Sequence, residues 1–176
     1  MYTGEVPGVI SLVYDSLAAS ELDWVLPDLR EAGIRATFFG DGELFTSDVA
    51  RWKQAVADGH DLGNGALLAL HVLKDRMDGT ALLEEVEELQ LLIAEISADS
   101  AIAPLAIVND EGAMSGVKIG QEREFPVMAV TDANQIDSSG DGIICLTRPH
   151  PQLHQAVLKW LSSRREDVVL LSAIGA

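Results

Sequence analysis

The chain has 176 residues, with 12 Lys and Arg against 28 Asp and Glu, which gives a formal net charge of −16. This length predicts a single domain spanning residues 1–176, and 48 % hydrophobic with 23 % charged residues is an ordinary globular composition. Because no basic stripe is present to neutralise phosphates, the composition excludes nucleic acid as a partner and disfavours an anionic membrane surface.

The N-terminus and the single cysteine bear on the compartment. Residues 1–5 lack the basic and apolar regions of a signal peptide, and no window reaches the ~18 consecutive apolar residues of a membrane span. Cys145 lies in an apolar run and is predicted to be a small buried hydrophobe rather than a reactive thiol. We expect a cytoplasmic protein, although a chain that began after a removed leader would look the same.

Short apolar runs alternate with amphipathic segments along the chain. In order, the pattern predicts strand 9–14, helix 20–33 capped at Ser20, strand 36–39, helix 47–59 capped at Ser47, and strand 60–64. Helix 80–97, strands 105–108, 127–131 and 142–146, helix 151–163 and strand 168–171 follow. The alternation predicts a parallel α/β sheet or a (β/α) barrel, and about seven strands favour the barrel.

Two sequence blocks then follow one another in fixed order. They read Ala36-Thr37-Phe38-Phe39 and, one helix later, Gly59-His60-Asp61-Leu62-Gly63-Asn64. They resemble the "ATFF" and "GHEIGN" blocks of the polysaccharide deacetylase family, also called the NodB-homology domain. Residues 12–15 occupy the place of its "TFDDG" motif, and 168–171 that of its last strand. The resemblance implies a distorted (β/α)7 barrel with its site at the carboxyl ends of the strands.

Active members of that family hydrolyse acetyl groups on polysaccharides with a divalent metal, such as zinc, held by one Asp and two His. The resemblance implies that Asp15 stands at the position of the catalytic base. The metal ligands are replaced by Ser16, Gly65 and Ala69, and the last-motif His by Ser172. A divalent ion needs a converging set of anionic oxygens and imidazoles. We therefore expect no metal or other cofactor, and no deacetylation of the family type.

The candidate site residues follow from this mapping. Asp15 and His71 are the catalytic candidates, and Ser16, Asn64, Asp132 and Ser172 are candidates for binding a ligand. Each has a plainer interpretation: Asp15 as a cap at a strand end, His71 as a buried, hydrogen-bonded histidine. A serine-hydrolase constellation of Ser16, His71 and an acid (Asp15 or Asp132) lacks the G-x-S-x-G elbow that would support it.

Three further patterns favour structural interpretations. His150 and His154 have a metal-compatible spacing, but no Glu follows His150, and the flanking prolines predict a turn followed by a helix start. Residues 137–142 lack the full ligand run of a calcium loop and predict an exposed turn. The acidic residues of helix 80–97 predict a solvated face.

The preferred functional hypothesis is a barrel that has lost metal-dependent deacetylation and binds a carbohydrate, another small molecule or a protein partner. The alternative is a divergent hydrolase acting on C–N amide or acetyl groups of carbohydrates, with a rearranged site around Asp15 and His71. A third class is a purely structural protein. Because interiors do not tolerate large voids, we expect Leu17, Leu67 or His71 to fill the space of the lost ligands and shield Asp15. The sequence leaves the oligomeric state open.

Overall fold

A computed structural model describes residues 8–68, 79–99, 101–108, 126–130 and 142–174. Their strands form one parallel sheet, curled as a half-barrel, in the order β5-β4-β3-β2-β1-β6. The strands are β1 (Ile10–Asp15), β2 (Thr37–Gly40), β3 (Asp61–Asn64), β4 (Leu105–Val108), β5 (Val127–Val130) and β6 (Gly142–Thr147). The predicted pairing of the first two strands is confirmed, with Val13 opposite Thr37.

Helices connect and cover these strands. They are α1 (Leu22–Ala32), α2 (Gly42–Ser47), α3 (Val49–Ala57), α4 (Gly79–Ser97), α5 (Pro151–Ser162) and α6 (Leu171–Ile174), with short 3-10 turns at Ala19–Glu21 and Arg165–Asp167. Within the described ranges, none of these helices has the length and apolarity needed to cross a membrane.

The two predicted serine caps are wrong. Ahead of α1, the carboxylate of Glu21 accepts from the backbone N–H of Ala18, so the chain turns before the helix without the hydroxyl of Ser20. Ser47 is the last residue of α2, and the predicted helix begins at Val49 instead, because Asp48 separates the two helices and accepts from the N–H of Arg51 to begin α3. A carboxylate adjacent to the break takes the capping position that the serine was expected to fill.

The seventh predicted strand is also wrong. Val168 makes a single parallel bridge to Ile10, and the N–H of Val169 donates to the Ile10 carbonyl at 2.8 Å. The chain then turns into α6, which buries Leu171 completely. The free energy gained by burying Leu171 in the core takes the place of the hydrogen bonds that a continued strand would have formed.

The pleat of the sheet separates two cores. Residues alternate between faces along each strand, so paired residues in register share a face. One face packs against the helices, with Leu12, Tyr14 and Phe38 in a large cluster with α1, α3, α4 and α5. The inner face carries a smaller cluster. Its buried members are Val13, Phe39, Leu68, Ala106 and Leu171.

Candidate functional site at the carboxyl end of the first strand

Asp15 is the last residue of β1 and shares the inner face with Val13. Its side chain is only 3 % exposed, and its Oδ1 has no hydrogen-bond partner among the described residues. Burying an unpaired carboxylate oxygen is costly, because the oxygen loses its hydration without a replacement. A strand end that carries such a group in the interior is therefore a candidate functional position.

Strand β6 brings two more polar side chains to Asp15. Thr147 is its direct register partner, and Cys145 lies two residues earlier on the same face. The hydroxyl of Thr147 is buried and, like Asp15 Oδ1, has no hydrogen-bond partner among the described residues. Two buried polar groups thus lie side by side at the carboxyl ends of neighbouring strands, close enough for the Thr147 hydroxyl to favour the ionised Asp15 carboxyl.

The chain leaves both strands through a strained residue. Ser16 follows β1 with φ of 51°, and Arg148 follows β6 with φ of 42°, a left-handed conformation that non-glycine residues adopt at a cost of roughly 1–3 kcal/mol. The two are joined, since Arg148 Nε donates to the carbonyl of Ser16 at 3.1 Å. This contact fixes the two exits relative to each other and keeps a guanidinium beside the Asp15 carboxyl.

Burial dominates the electrostatics of the cluster. It raises the pKa of Asp15 above the ordinary carboxyl value, while the neighbouring Thr147 hydroxyl and the Arg148 charge oppose the shift without cancelling it. Burial, together with the Asp15 charge, raises the pKa of the Cys145 thiol to about 12. The thiol therefore stays protonated at neutral pH, which agrees with the predicted inert cysteine and makes it neither a nucleophile nor a good metal ligand.

The structure does not bring the described candidates Asn64 and Ser172 to Asp15. Asn64 is fully buried on the helix-facing side, where Nδ2 donates to the Val86 carbonyl at 2.8 Å and Oδ1 accepts from the Ala66 N–H at 3.1 Å. Ser172 donates to Asp61, which begins β3 and so lies at the opposite end of that strand from Asn64. Asn64 therefore serves the packing of the fold, whereas Ser172 makes an exposed hydrogen bond at the other end of the strand. His71, Asp132 and Ala69 lie outside the described residues.

The expected filling of the cleft takes a different form. Asp15 is shielded as predicted, but Leu17 and Leu67 belong to the helix-facing core rather than the inner face. Among the described residues of this stretch, Leu68 is the one that packs in the inner cluster, beside Val13. The neighbouring leucines Leu67 and Leu68 thus face different cores.

A divalent metal does not fit the described part of this site. Ser16 offers a neutral hydroxyl where a carboxylate is needed, and Gly65 has no side chain. A Cβ built on Gly65 would lie 2.8 Å from the carbonyl oxygen of Gly40, so the place of a histidine there is already taken by backbone. Among the described residues no three His, Cys, Asp or Glu side chains converge on a common point.

The described histidines are occupied elsewhere. His60 Nδ1 accepts from the N–H of Ala36 at 3.1 Å. His150 caps α5 by accepting from the Leu153 N–H, and His154 is fully buried with Nδ1 3.0 Å from the Tyr14 hydroxyl. The helix-start interpretation of the His150 and His154 pair is confirmed.

Sequence reasoning missed Thr147, Cys145 and Arg148 as neighbours of Asp15. Spacing along the chain gives no hint of them, since they lie more than a hundred residues from β1. The usable signal was topological: in a half-barrel where β6 pairs with β1, every second residue of β6 shares the inner face of β1.

Comparison with known proteins shows which solved structures this fold resembles. The sequence matches no protein-family model and no curated protein. A family 4 carbohydrate esterase from Bacillus anthracis is similar in structure, with TM-score 0.75 and 17 % identity over 98 % of this chain and 85 % of that one. The peptidoglycan deacetylase PdaC from Bacillus subtilis gives TM-score 0.69 and 17 % identity over 95 % and 89 %.

A third similar structure is described as a family 4 carbohydrate esterase (CE4) pseudoenzyme from Bacillus anthracis. Its mutant with restored enzymatic activity gives TM-score 0.68 and 13 % identity over 94 % of this chain. This chain spans 66 % of that protein's length. Identities this low establish architecture rather than chemistry. The structural similarity, together with the parallel sheet and the site at the carboxyl end of β1, shows that the chain has the barrel fold of the CE4 polysaccharide deacetylases.

Proposed function

We propose that this protein is a non-catalytic member of the deacetylase fold that binds a small carbohydrate, or a small molecule of similar hydrogen-bonding chemistry, through Asp15. The observation that carries the proposal is the buried Asp15 Oδ1 with no hydrogen-bond partner in the described chain. Hydroxyl and amide N–H groups are the donors such an oxygen lacks, and sugars and acetamido sugars present both.

The neighbouring groups support binding more than hydrolysis. Without a metal, nothing described in the site would lower the pKa of a bound water or polarise an acetyl carbonyl. Asp15 would then have to act on nearly unactivated water. Thr147, in contrast, adds a second hydroxyl that can donate or accept, and Arg148 adds donors at the rim. These groups can orient a polar ligand without changing it covalently.

The comparisons support the proposal at the level of the fold. One similar protein is itself described as a pseudoenzyme, so this architecture exists without activity in that protein. As part of the same proposal the protein acts in the cytoplasm, where a lone reduced thiol such as Cys145 is ordinary.

A binding screen tests the proposal. We expect chito-oligosaccharides or their monosaccharides to shift amide resonances of β1 and β6 and to raise the melting temperature. Asp15→Asn removes the negative charge and replaces one acceptor oxygen by an NH2 donor, and it is expected to weaken binding at least tenfold. Glu84→Gln makes the same carboxylate-to-amide change on the exposed face of α4 and is expected to leave binding unchanged.

Three results would contradict the proposal. Equal loss of binding in both variants would indicate a general charge effect, and the absence of binding by any saccharide in the screen would favour a purely structural protein. Acetate released from acetylated chito-oligosaccharides, lost in Asp15→Asn or His71→Ala, would favour the divergent hydrolase instead.

A further inference from the structure

We infer that position 65, the first of the two histidine positions that the family resemblance implies, is closed by backbone in this chain. Restoring the missing side chains therefore does not restore a metal site. The inference concerns the contact between β2 and the residue after β3. It does not depend on what Asp15 binds.

Gly65 continues the β2–β3 ladder by one residue. The two strands pair in parallel up to Gly40 opposite Asn64, and the N–H of Gly65 then donates to the Gly40 carbonyl at 2.8 Å. A Cβ on Gly65 would lie 2.8 Å from that oxygen and 3.0 Å from both the carbonyl carbon and the nitrogen of Gly40. All three are backbone atoms, so no rotamer change can move them away.

The end of β2 is held in place from its other side. A Cβ on Gly40 would meet Leu44 Cδ2 at 2.8 Å and the Phe45 ring at 3.0 Å, which shows how closely α2 packs on this strand end. Phe45 is fully buried, and Asp41 fixes the start of α2 by accepting from the Leu44 N–H at 2.8 Å. Moving Gly40 to admit a side chain at position 65 would therefore disturb α2 as well.

Position 16 presents no such obstacle. Ser16 is half-buried, and its left-handed backbone is one that Asp adopts more readily than most residues. The two lost ligands thus differ in kind. At position 16 only the carboxylate side chain is missing, whereas at position 65 the space for a histidine side chain is missing as well.

Stability measurements on single variants test the closed position directly. Gly65→Ala adds only the clashing Cβ and is expected to lower the melting temperature by at least about 3 °C, the shift typical of roughly 1 kcal/mol in a chain of this size. Gly42→Ala is the matched control, since a Cβ there has no atom within 4 Å. It is expected to leave the melting temperature unchanged or higher.

Metal titration tests the consequence. We expect the combined variant Ser16→Asp, Gly65→His, Ala69→His to bind no more Zn²⁺ by calorimetry, and no more Co²⁺ by visible absorption, than Ser16→Asp, Ala69→His. A combined variant that binds one equivalent of Zn²⁺ and melts near wild type would overturn the inference. So would a Gly65→Ala protein that melts within about 1 °C of wild type, even where the combined variant fails to fold.

Discussion

Asn64 allows the outer layer of the fold to be tested by one substitution. Its side chain is fully buried; Nδ2 joins β3 to α4 by donating to the Val86 carbonyl, and Oδ1 accepts from the Ala66 N–H two residues further along the chain. Asn64→Ala removes both bonds and leaves the Ala66 N–H buried without a partner, while the Val86 carbonyl keeps its bond within α4. We expect a loss of folding stability, not merely of a surface contact.

The magnitude follows from the orphaned N–H of Ala66 and from the lost bond to Val86. A buried polar group left without its partner costs about 1–3 kcal/mol, a lost hydrogen bond about 0.5–1.5 kcal/mol, and the truncated side chain adds a small cavity, so the free energy of unfolding should fall by about 2–4 kcal/mol. Asn64→Asp keeps the acceptor for Ala66 but places an oxygen where Nδ2 now lies 2.8 Å from the Val86 carbonyl. That variant should be destabilised as well at neutral pH, because two acceptors then face each other.

Urea denaturation monitored by circular dichroism measures these changes, and Gln90→Ala provides the control. Gln90 also makes two bonds from α4 to backbone, donating to the Ala103 carbonyl at 2.9 Å and accepting from its N–H at 3.2 Å. Gln90 is only partly buried, so water can replace the lost partners, and its removal should cost about 0.5–1.5 kcal/mol. If Asn64→Ala cost no more than Gln90→Ala, the reasoning from burial would be refuted.

Two predictions concern pH. Because the pKa of Asp15 is raised in the folded state, ionisation of Asp15 opposes folding; Asp15→Asn should therefore raise the melting temperature near pH 7, with the advantage shrinking as the pH falls towards 3.8. A lower melting temperature for Asp15→Asn at pH 7 would contradict this. Burial lowers the pKa of His60 from 6.5 to about 4, so protonation of His60 favours the unfolded chain. The free energy of unfolding should therefore fall by about 3 kcal/mol as the pH is lowered from 6.5 to about 4. His60→Asn should flatten this part of a urea-midpoint profile, and an unchanged slope would show that His60 is not responsible.

Sequence patterns predicted the sheet better than the connections. Six of the seven predicted strands are present among the described residues, because apolar, β-branched runs such as 9–14 mark buried parallel strands. The last run, 168–171, has the same composition but forms one bridge, since it buries Leu171 by turning rather than by extending. Local composition does not distinguish these outcomes, because both bury the same side chains.

The candidate site was predicted in part, and for a specific reason. Asp15 follows directly from its position at the end of a buried strand. The place of Thr147 depends on which strand pairs with β1 and in which register, since a single-residue slip would turn its side chain to the other face, and the place of Arg148 depends on where β6 ends. Asn64 was assigned to ligand binding because polarity along the chain does not show which face of β3 a side chain occupies.

The residues that carried the family resemblance are largely those that hold the fold together. Phe38 stacks on Tyr14, His60 accepts from the Ala36 backbone, and Asn64 fastens α4 to β3. These side chains face the helices, where any protein of this architecture must satisfy the same buried groups. The positions that depart from the family, Ser16 and Gly65, lie where the chain leaves the strands and take part in none of these contacts. A match confined to the first set predicts architecture and is silent on activity. The contacts that hold this fold together are therefore made by residues other than those at Ser16 and Gly65, and the architecture by itself does not decide the activity.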